Sequence, residues 1–392
     1  MPDSYFISNL LELEGVIVKN FESSNSELHI HFSLERRPHS CPDCHTITDR
    51  VHDYRTSIIK DSPIMGKKTF LHYSKRRYRC PSCCKRFYES FQLLPKHCSI
   101  TTRLICYSIF LLENRYSVHS AAALSGISDS SVFRRIKQIQ FSKPERLPKV
   151  LSIDEFRGNA GKEKFQTILT DAHNRTLFDI LPSRSQATLS SYFQAFPNRK
   201  EVEYVVMDMN QSYRELARIY FPKAKIVIDK FHVVRYVTWG LENVRKRVQK
   251  QMHPSKRKYF KRSRKLLLAH RDKLKEDSLE ALELMLLQSP DLATAYHLKE
   301  LFYQFMRSNS RNEAAKNLHF FILAAQTSQL TEFQPCLTML GNWSNDILNA
   351  FDCTYTNGFT EGTNNVIKVI KRNAFGYRNF DNFRNRIFLA LT

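Results

Sequence analysis

Lys149-Val-Leu-Ser-Ile-Asp154-Glu155-Phe156 is the stretch whose reading decides the fold. It follows a linker over 143–149, marked by Pro144 and Pro148 among Lys143, Glu145 and Lys149. From there the periodicity changes, and 150–156 is predicted to be a short apolar strand. Further strands are predicted over 165–171 and 176–181, then a helix over 186–196, a strand over 204–208, a helix over 211–219 and a strand over 225–229.

Three successive strands followed by alternating helix and strand match an α/β sheet of the ribonuclease-H type. Two of the strands carry an acid where a purely structural strand would not want one. Asp154 and Glu155 must point to opposite faces, so only one of them enters a given site. Asp208 ends the apolar run Tyr204-Val-Val-Met, and Asp229, ending the next strand, competes with it. Asp208 also stands where it would cap the following helix. Buried carboxylates are costly unless paired or bound to cations, so this pattern points to a hard divalent ion, magnesium or manganese. Two such ions roughly 4 Å apart would activate water or a 3′-hydroxyl and stabilise the leaving oxygen of a phosphodiester.

Downstream, Thr356-Asn-Gly-Phe-Thr360-Glu361-Gly-Thr-Asn364-Asn365-Val-Ile-Lys368-Val-Ile-Lys371-Arg372 predicts a helix. Glu361, Asn364, Asn365, Lys368 and Arg372 recur on one face, with Val366, Ile367, Val369 and Ile370 on the other. That face suits a metal ligand beside a DNA backbone. The long stretch of helical character between Asp229 and Glu361 exceeds any loop and predicts a helical insertion at about 235–350. Trp343 within it is expected in the core, although an exposed indole there would stack on an unpaired base.

Upstream, 99–142 is predicted to be a helix-turn-helix. Ala122 permits close approach, Gly126 takes the left-handed turn, Ser128 caps the second helix and Val132 buries it. Its exposed face offers Ser130, Ser131, Arg134, Arg135 and Gln138 to a major groove. Residues 1–98 form a zinc-binding β module. The alternation of Leu28, Ile30, Phe32 and Leu34 with His29, His31 and Ser33 predicts a half-buried strand paired with 16–21. Cys41-Pro-Asp-Cys44 and Cys80-Pro-Ser-Cys83 supply a tetrahedral four-sulfur site, with Cys84 an alternative to Cys83 and His45 beside Cys44. Around the second pair, Lys75-Arg76-Arg77-Tyr78-Arg79 interleaves cations with an aromatic, as suits phosphate contact.

Charge agrees with a polyanionic partner. The 392 residues carry a net +22, of which residues 60–103 hold +9 and residues 245–275 hold +13. Concentration of the excess in two stretches is the distribution expected where phosphates lie. No secretion signal is read over 1–18, which carries Asp3, Glu12 and Glu14, and no run is apolar enough to cross a bilayer. Nine cysteines therefore read as metal ligands and thiols of a cytoplasmic chain.

The paired-cysteine finger, Ile153-Asp154-Glu155-Phe156, Val206-Met-Asp208, Ile228-Asp229-Lys230-Phe231-His232, Asn357-Gly-Phe-Thr-Glu361-Gly-Thr-Asn-Asn365-Val-Ile-Lys368 and Lys371-Arg372-Asn-Ala-Phe-Gly376-Tyr377-Arg378-Asn379-Phe380 together resemble the insertion-sequence transposases of the ISL-three family, over essentially the whole chain. The resemblance implies a ribonuclease-H-like domain over 150–392 with catalytic, magnesium-binding Asp154, Asp208 and Glu361, supported by Asp229, His232 and Asn365. It favours Asp154 over Glu155 and Asp208 over Asp229. On the residue patterns above, DNA contacts are expected from Arg76, Arg77, Arg79, Arg134, Arg135, Lys368 and Arg372, and a structural zinc on Cys41, Cys44, Cys80 and Cys83. The partners implied are the element's terminal inverted repeats and target DNA, handled by a homodimer or larger assembly in the bacterial cytoplasm, nucleoid-associated when bound. Two rival readings are a DNA-binding regulator with an inactive C-terminal half, and a ribonuclease-H-like nuclease that cuts without joining.

Overall fold

The structure, a computed structural model, describes residues 15–95, 97–255, 257–258 and 264–391. Most of the span read above for a leader, and Lys256, Lys261 and Arg262 of the second basic stretch, lie outside the described residues. The chain divides into two compact units. One comprises the residues up to Phe141 together with those from Val369 onward, and the other is Ser142–Lys368.

In the first unit, β1 (Val16–Ser23), β2 (Glu27–Leu34), β3 (His39–Ser40), β4 (Ile47–Thr48), β5 (Val51–Ile64), β6 (Lys67–Arg79) and β7 (Arg86–Tyr88) precede three helices, α1 (Thr102–Glu113), α2 (Val118–Ser125) and α3 (Asp129–Gln138). The main sheet has order β1-β2-β6-β5, with β7 on β6. Alternation sends Leu28, Ile30 and Phe32 inward against Ile59, Leu71 and Tyr73. The pairing of 16–21 with the strand after it is present, as β1 antiparallel to β2.

The helices follow their caps. Ser117 and Ser128 each accept a backbone N–H at the start of α2 and α3, and Gly126 ends α2 at φ +66. Val132 and Ile136 bury α3 against Val118, Ala121 and Ala122.

In the second unit come β8 (Val150–Phe156), β9 (Gln166–Asp171), β10 (Thr176–Leu181), α4 (Gln186–Gln194), β11 (Tyr204–Met207), α5 (Gln211–Tyr220) and β12 (Lys225–Ile228). Every expected element is present, with ends shifted by at most two residues. The sheet order is β10-β9-β8-β11-β12, with β8, β11 and β12 parallel and β9 antiparallel to its neighbours. The insertion follows as α6 (Lys230–Lys250), α7 (Arg264–Leu268), α8 (Glu276–Leu286), α9 (Pro290–Met306), α10 (Arg311–Thr327) and α11 (Gln334–Leu348). Its helices are apolar partners of the sheet: Val233, Val237 and Leu241 of α6, Phe302 and Phe305 of α9, and Leu340 and Ile347 of α11 share one core with Leu151, Ile153, Val205 and Met207.

Two helices end the chain, α12 (Gly358–Asn373) and α13 (Phe380–Leu391). The sequence reading placed 150–392 in one domain; the compact units divide within α12, and α13 packs Leu389 beside Leu111, Leu112 and Val132 of the first unit. Among the described residues, no helix is long and apolar enough to cross a membrane.

Candidate functional site

The sheet of the second unit carries polar side chains on one stretch of its face. Ser152 on β8 donates to Asn357 Oδ1 at 2.6 Å and lies 3.0 Å from Thr360 Oγ1, which in turn meets Thr170 Oγ1 of β9 at 2.8 Å. This buried hydroxyl–amide cluster holds the first turn of α12 against β8 and β9. One turn further on, Asn364 Nδ2 donates to Asp154 Oδ2 at 2.8 Å. The helix that carries Glu361 is therefore pinned on both sides of that residue.

Above this cluster the carboxyl ends of β8 and β11 and the first turns of α6 and α12 enclose a cavity of about 580 Å³. Asp154, Asp208, His232, Glu361, Asn364, Asn365 and Lys368 line it. Asp154 and Glu155 point to opposite faces as alternation requires, yet at the strand's end both reach the cavity, contrary to the expectation that only one would. Their chemistry differs. Glu155 is paired with Arg184 at 2.6 Å and accepts from the Tyr213 hydroxyl at 2.7 Å. Asp154 instead takes neutral donors, the Glu155 N–H at 2.7 Å and the Asn364 amide at 2.8 Å.

Burial, and then the negative charge of Asp208, push the Asp154 carboxyl up to about 7. Burial, followed by Asp229, also raises Glu361. The Asp208 carboxylate holds the His232 imidazole above its ordinary value. His232 Nδ1 is 3.1 Å from Asp208 Oδ1, but the two are not aligned as a hydrogen bond, and both atoms are buried without one. Asp229, His232 and Glu361 bring ligand atoms within 4.8 Å of one another. The raised Asp154 and Glu361 carboxyls, with Asp208 Oδ1 left without a hydrogen bond, fit a divalent cation, whose charge removes the repulsion. Asp229 is committed at both oxygens, as Asp154 is: its Oδ1 accepts from Phe231 N–H at 2.8 Å and its Oδ2 from Asn357 N–H at 3.1 Å.

In the first unit the sulfurs of Cys41, Cys44, Cys80 and Cys83 lie within 4.8 Å of one another. The two C-x-x-C turns are equivalent. Cys41 N–H donates to Thr46 O and His45 N–H to Cys41 O; Cys80 N–H donates to Lys85 O and Cys84 N–H to Cys80 O. His45 and Cys84 occupy the same left-handed position, φ +59 and +60. Each thus turns the chain away after the second cysteine of its pair, and it is Cys83, not Cys84, whose sulfur joins the cluster. Thr46 beside it holds the Cys44 thiol down to about 6, toward the thiolate that zinc requires.

The basic residues fare unequally. Arg79, Arg134, Lys368 and Arg372 are exposed, while Arg135 is half-buried and donates to Gln138. Arg77 is half-buried against Asp53 at 3.3 Å. Arg76 corrects the sequence reading. It is buried, donates to Glu89 at 3.1 Å and to the carbonyl of Leu34 at 2.7 Å, and is a strut of the sheet rather than a phosphate contact. Trp343 is buried under Arg214, in the core as expected. What sequence reasoning passed over is the cavity's aromatic wall, Tyr236 and Trp239 with Arg235, on α6. The signal was available: His232, Arg235, Tyr236 and Trp239 recur at helical spacing directly after Asp229.

Comparison with known proteins gives a consistent picture. Residues 151–387 match the ISL3 family model described as transposase, and residues 37–83 match one described as zinc-finger of transposase IS204/IS1001/IS1096/IS1165. The transposase for insertion sequence element IS1001 of Bordetella parapertussis is 26% identical over 381 residues, 94% of this chain and 93% of that protein. A Lactococcus lactis subsp. lactis protein named ATP-dependent protease is 34% identical over 102 residues, 26% of this chain and 31% of that one.

Proposed function

The chain belongs to the ISL-three family of insertion-sequence transposases, and from that premise we propose that it binds the terminal inverted repeats of its element, cuts the DNA there and joins the freed ends to a target. One observation carries the reading: Asp154, Asp208 and Glu361, from three separated segments, line a single cavity in which their charges oppose one another. The order of the sheet, three antiparallel strands followed by two parallel to the first, supports a ribonuclease-H-like core.

Asp154, Asp208 and Glu361 would hold two magnesium or manganese ions. Bound there, such ions supply an activated water or 3′-hydroxyl and a counter-charge for the leaving oxygen of a phosphodiester. The protein's own contribution is positioning. Asn364 orients Asp154 through its 2.8 Å hydrogen bond, and Asp229 fixes the loop that precedes α12. His232 stands against Asp208 and limits its rotamers. Lys368, exposed one turn beyond Asn364, would take a backbone phosphate.

In the first unit, α2 and α3 with the Gly126 turn would act as a helix-turn-helix whose Arg134 and Arg135 face DNA. Zinc on the four cysteines would hold the adjoining strands, and Arg79 at their edge, rigid. Two ends must be brought together, so the acting form would be a dimer or larger.

Labelled duplexes carrying the DNA that flanks the gene, incubated with magnesium, test the reading. Wild type is expected to cut and join them, and Asp208→Asn to bind equally and cut at least a thousandfold more slowly. Equal cutting by both proteins removes Asp208 from the site, and cutting without joined products favours a nuclease.

A further inference from the structure

Helix α6 leaves the acidic centre with a second kind of chemistry on the same face. His232, Arg235, Tyr236 and Trp239 follow at three- and four-residue intervals, and all four line the cavity. The opposite face, Val233, Val237 and Leu241, is sunk in the core. Trp239 remains 46% exposed, whereas Trp343, the chain's other tryptophan, is 8% exposed. The Arg235 guanidinium lies over the Trp239 ring at 4.4 Å from its centroid, and the Tyr236 ring stands 5.7 Å away. A guanidinium clamped on one face of an indole holds the ring in place and backs it with a positive charge, leaving the other face for stacking.

The cavity therefore offers carboxylates at one end and a flat, cation-backed aromatic surface at the other. A nucleotide has the matching pair of features, a phosphate for the ion-holding end and a flat base attached to it through one sugar. Within an intact duplex both faces of a base are stacked on neighbours, so only a base released from pairing reaches such a ring. We propose that Trp239, backed by Arg235 and flanked by Tyr236, is a stacking platform for one unpaired nucleobase of the DNA end beside the cleaved phosphate. The inference rests on the reading of this cavity as the cutting site. Capture of that base would hold the cleaved phosphate against Asp154, Asp208 and Glu361, and would select ends that open easily at the junction.

The test compares wild type, Trp239→Ala and Trp239→Phe on duplexes carrying the flanking DNA, with magnesium, measuring end affinity and cutting rate separately. A second set of duplexes replaces the nucleosides across the junction, one at a time, by an abasic residue. Trp239→Ala is expected to cut intact ends roughly 5- to 150-fold more slowly, the range that loss of one stacked base produces. Its affinity for the ends should be unchanged, and Trp239→Phe should recover most of the rate. At one abasic position Trp239→Ala should match wild type, because no base is left to capture; a merely structural tryptophan would show no such rescue. If Trp239→Ala lowers the melting temperature, Trp239→Leu replaces it in each comparison. Equal cutting by wild type and variant, or slowing that no abasic position relieves, overturns the platform alone. A wild type that binds ends without cutting overturns the functional reading and this inference with it.

Discussion

Asp154→Asn should make the magnesium-free protein more stable while abolishing its proposed chemistry. The folded chain raises this carboxyl from about 4 to about 7, chiefly by burial and by the charge of Asp208. Above about pH 4 the unfolded chain ionises Asp154 freely, whereas the folded chain resists until about pH 7. Stability is therefore lost across that window and stays lost above it. Three pH units correspond to about 4 kcal/mol.

Asparagine removes the ionisation and keeps the contacts. Glu155 N–H still finds an oxygen acceptor in place of Asp154 Oδ1. Asn364, whose Oδ1 has no partner, flips to accept from the new amide. At 2–4 °C per kcal/mol for a unit of this size, the calorimetric transition of the second unit should rise by about 8 to 16 °C near pH 8. Near pH 4 the two proteins should melt together. Magnesium should raise wild type at pH 8 and leave Asp154→Asn nearly unmoved, which also identifies the transition. A variant no more stable than wild type at pH 8, or an advantage equally large at pH 4, would refute the reasoning.

Two further outcomes concern the first unit. Cys83→Ser should lose its bound zinc, whereas Cys84→Ser should keep one equivalent, since only Cys83 joins the sulfur cluster; metal analysis after gel filtration distinguishes them. Glu89→Gln leaves the Arg76 guanidinium buried without its counter-charge and should cost about 3–5 kcal/mol in urea denaturation of the full chain. An unchanged midpoint would mean that the Leu34 and Glu35 carbonyls suffice for Arg76.

Local pattern carried most of the fold. The strands of the second unit announce themselves by apolar runs, and the α2–α3 turn by Gly126 and Ser128, because caps and alternation are local physics. What pattern could not supply was which of several polar residues faces inward. Arg76 sits in a run of exposed-looking cations, and only the approach of Glu89 from β7's far end makes it a buried pair. Glu155 reads like Asp154 in sequence, and only Arg184 and Tyr213, distant in the chain, tie it up. The packing of α13 on α1 and α3 is likewise nonlocal, since nothing in 380–391 names its partner. Trp239 was legible by spacing but not by exposure, and exposure is what separates it from Trp343.

Asp229 has a consequence for how this architecture tolerates change. Its two carboxylate oxygens grip the first turn of α6 and the residue before α12, so the helical excursion departs and returns at one side chain. Closing a longer excursion costs only logarithmically more in chain entropy. With exit and entry riveted together, the loops between those helices can be lengthened or shortened while Glu361 stays where it is. What is free to vary is therefore the connections rather than the helices, because α6, α9 and α11 share a core with the sheet and must keep their apolar faces.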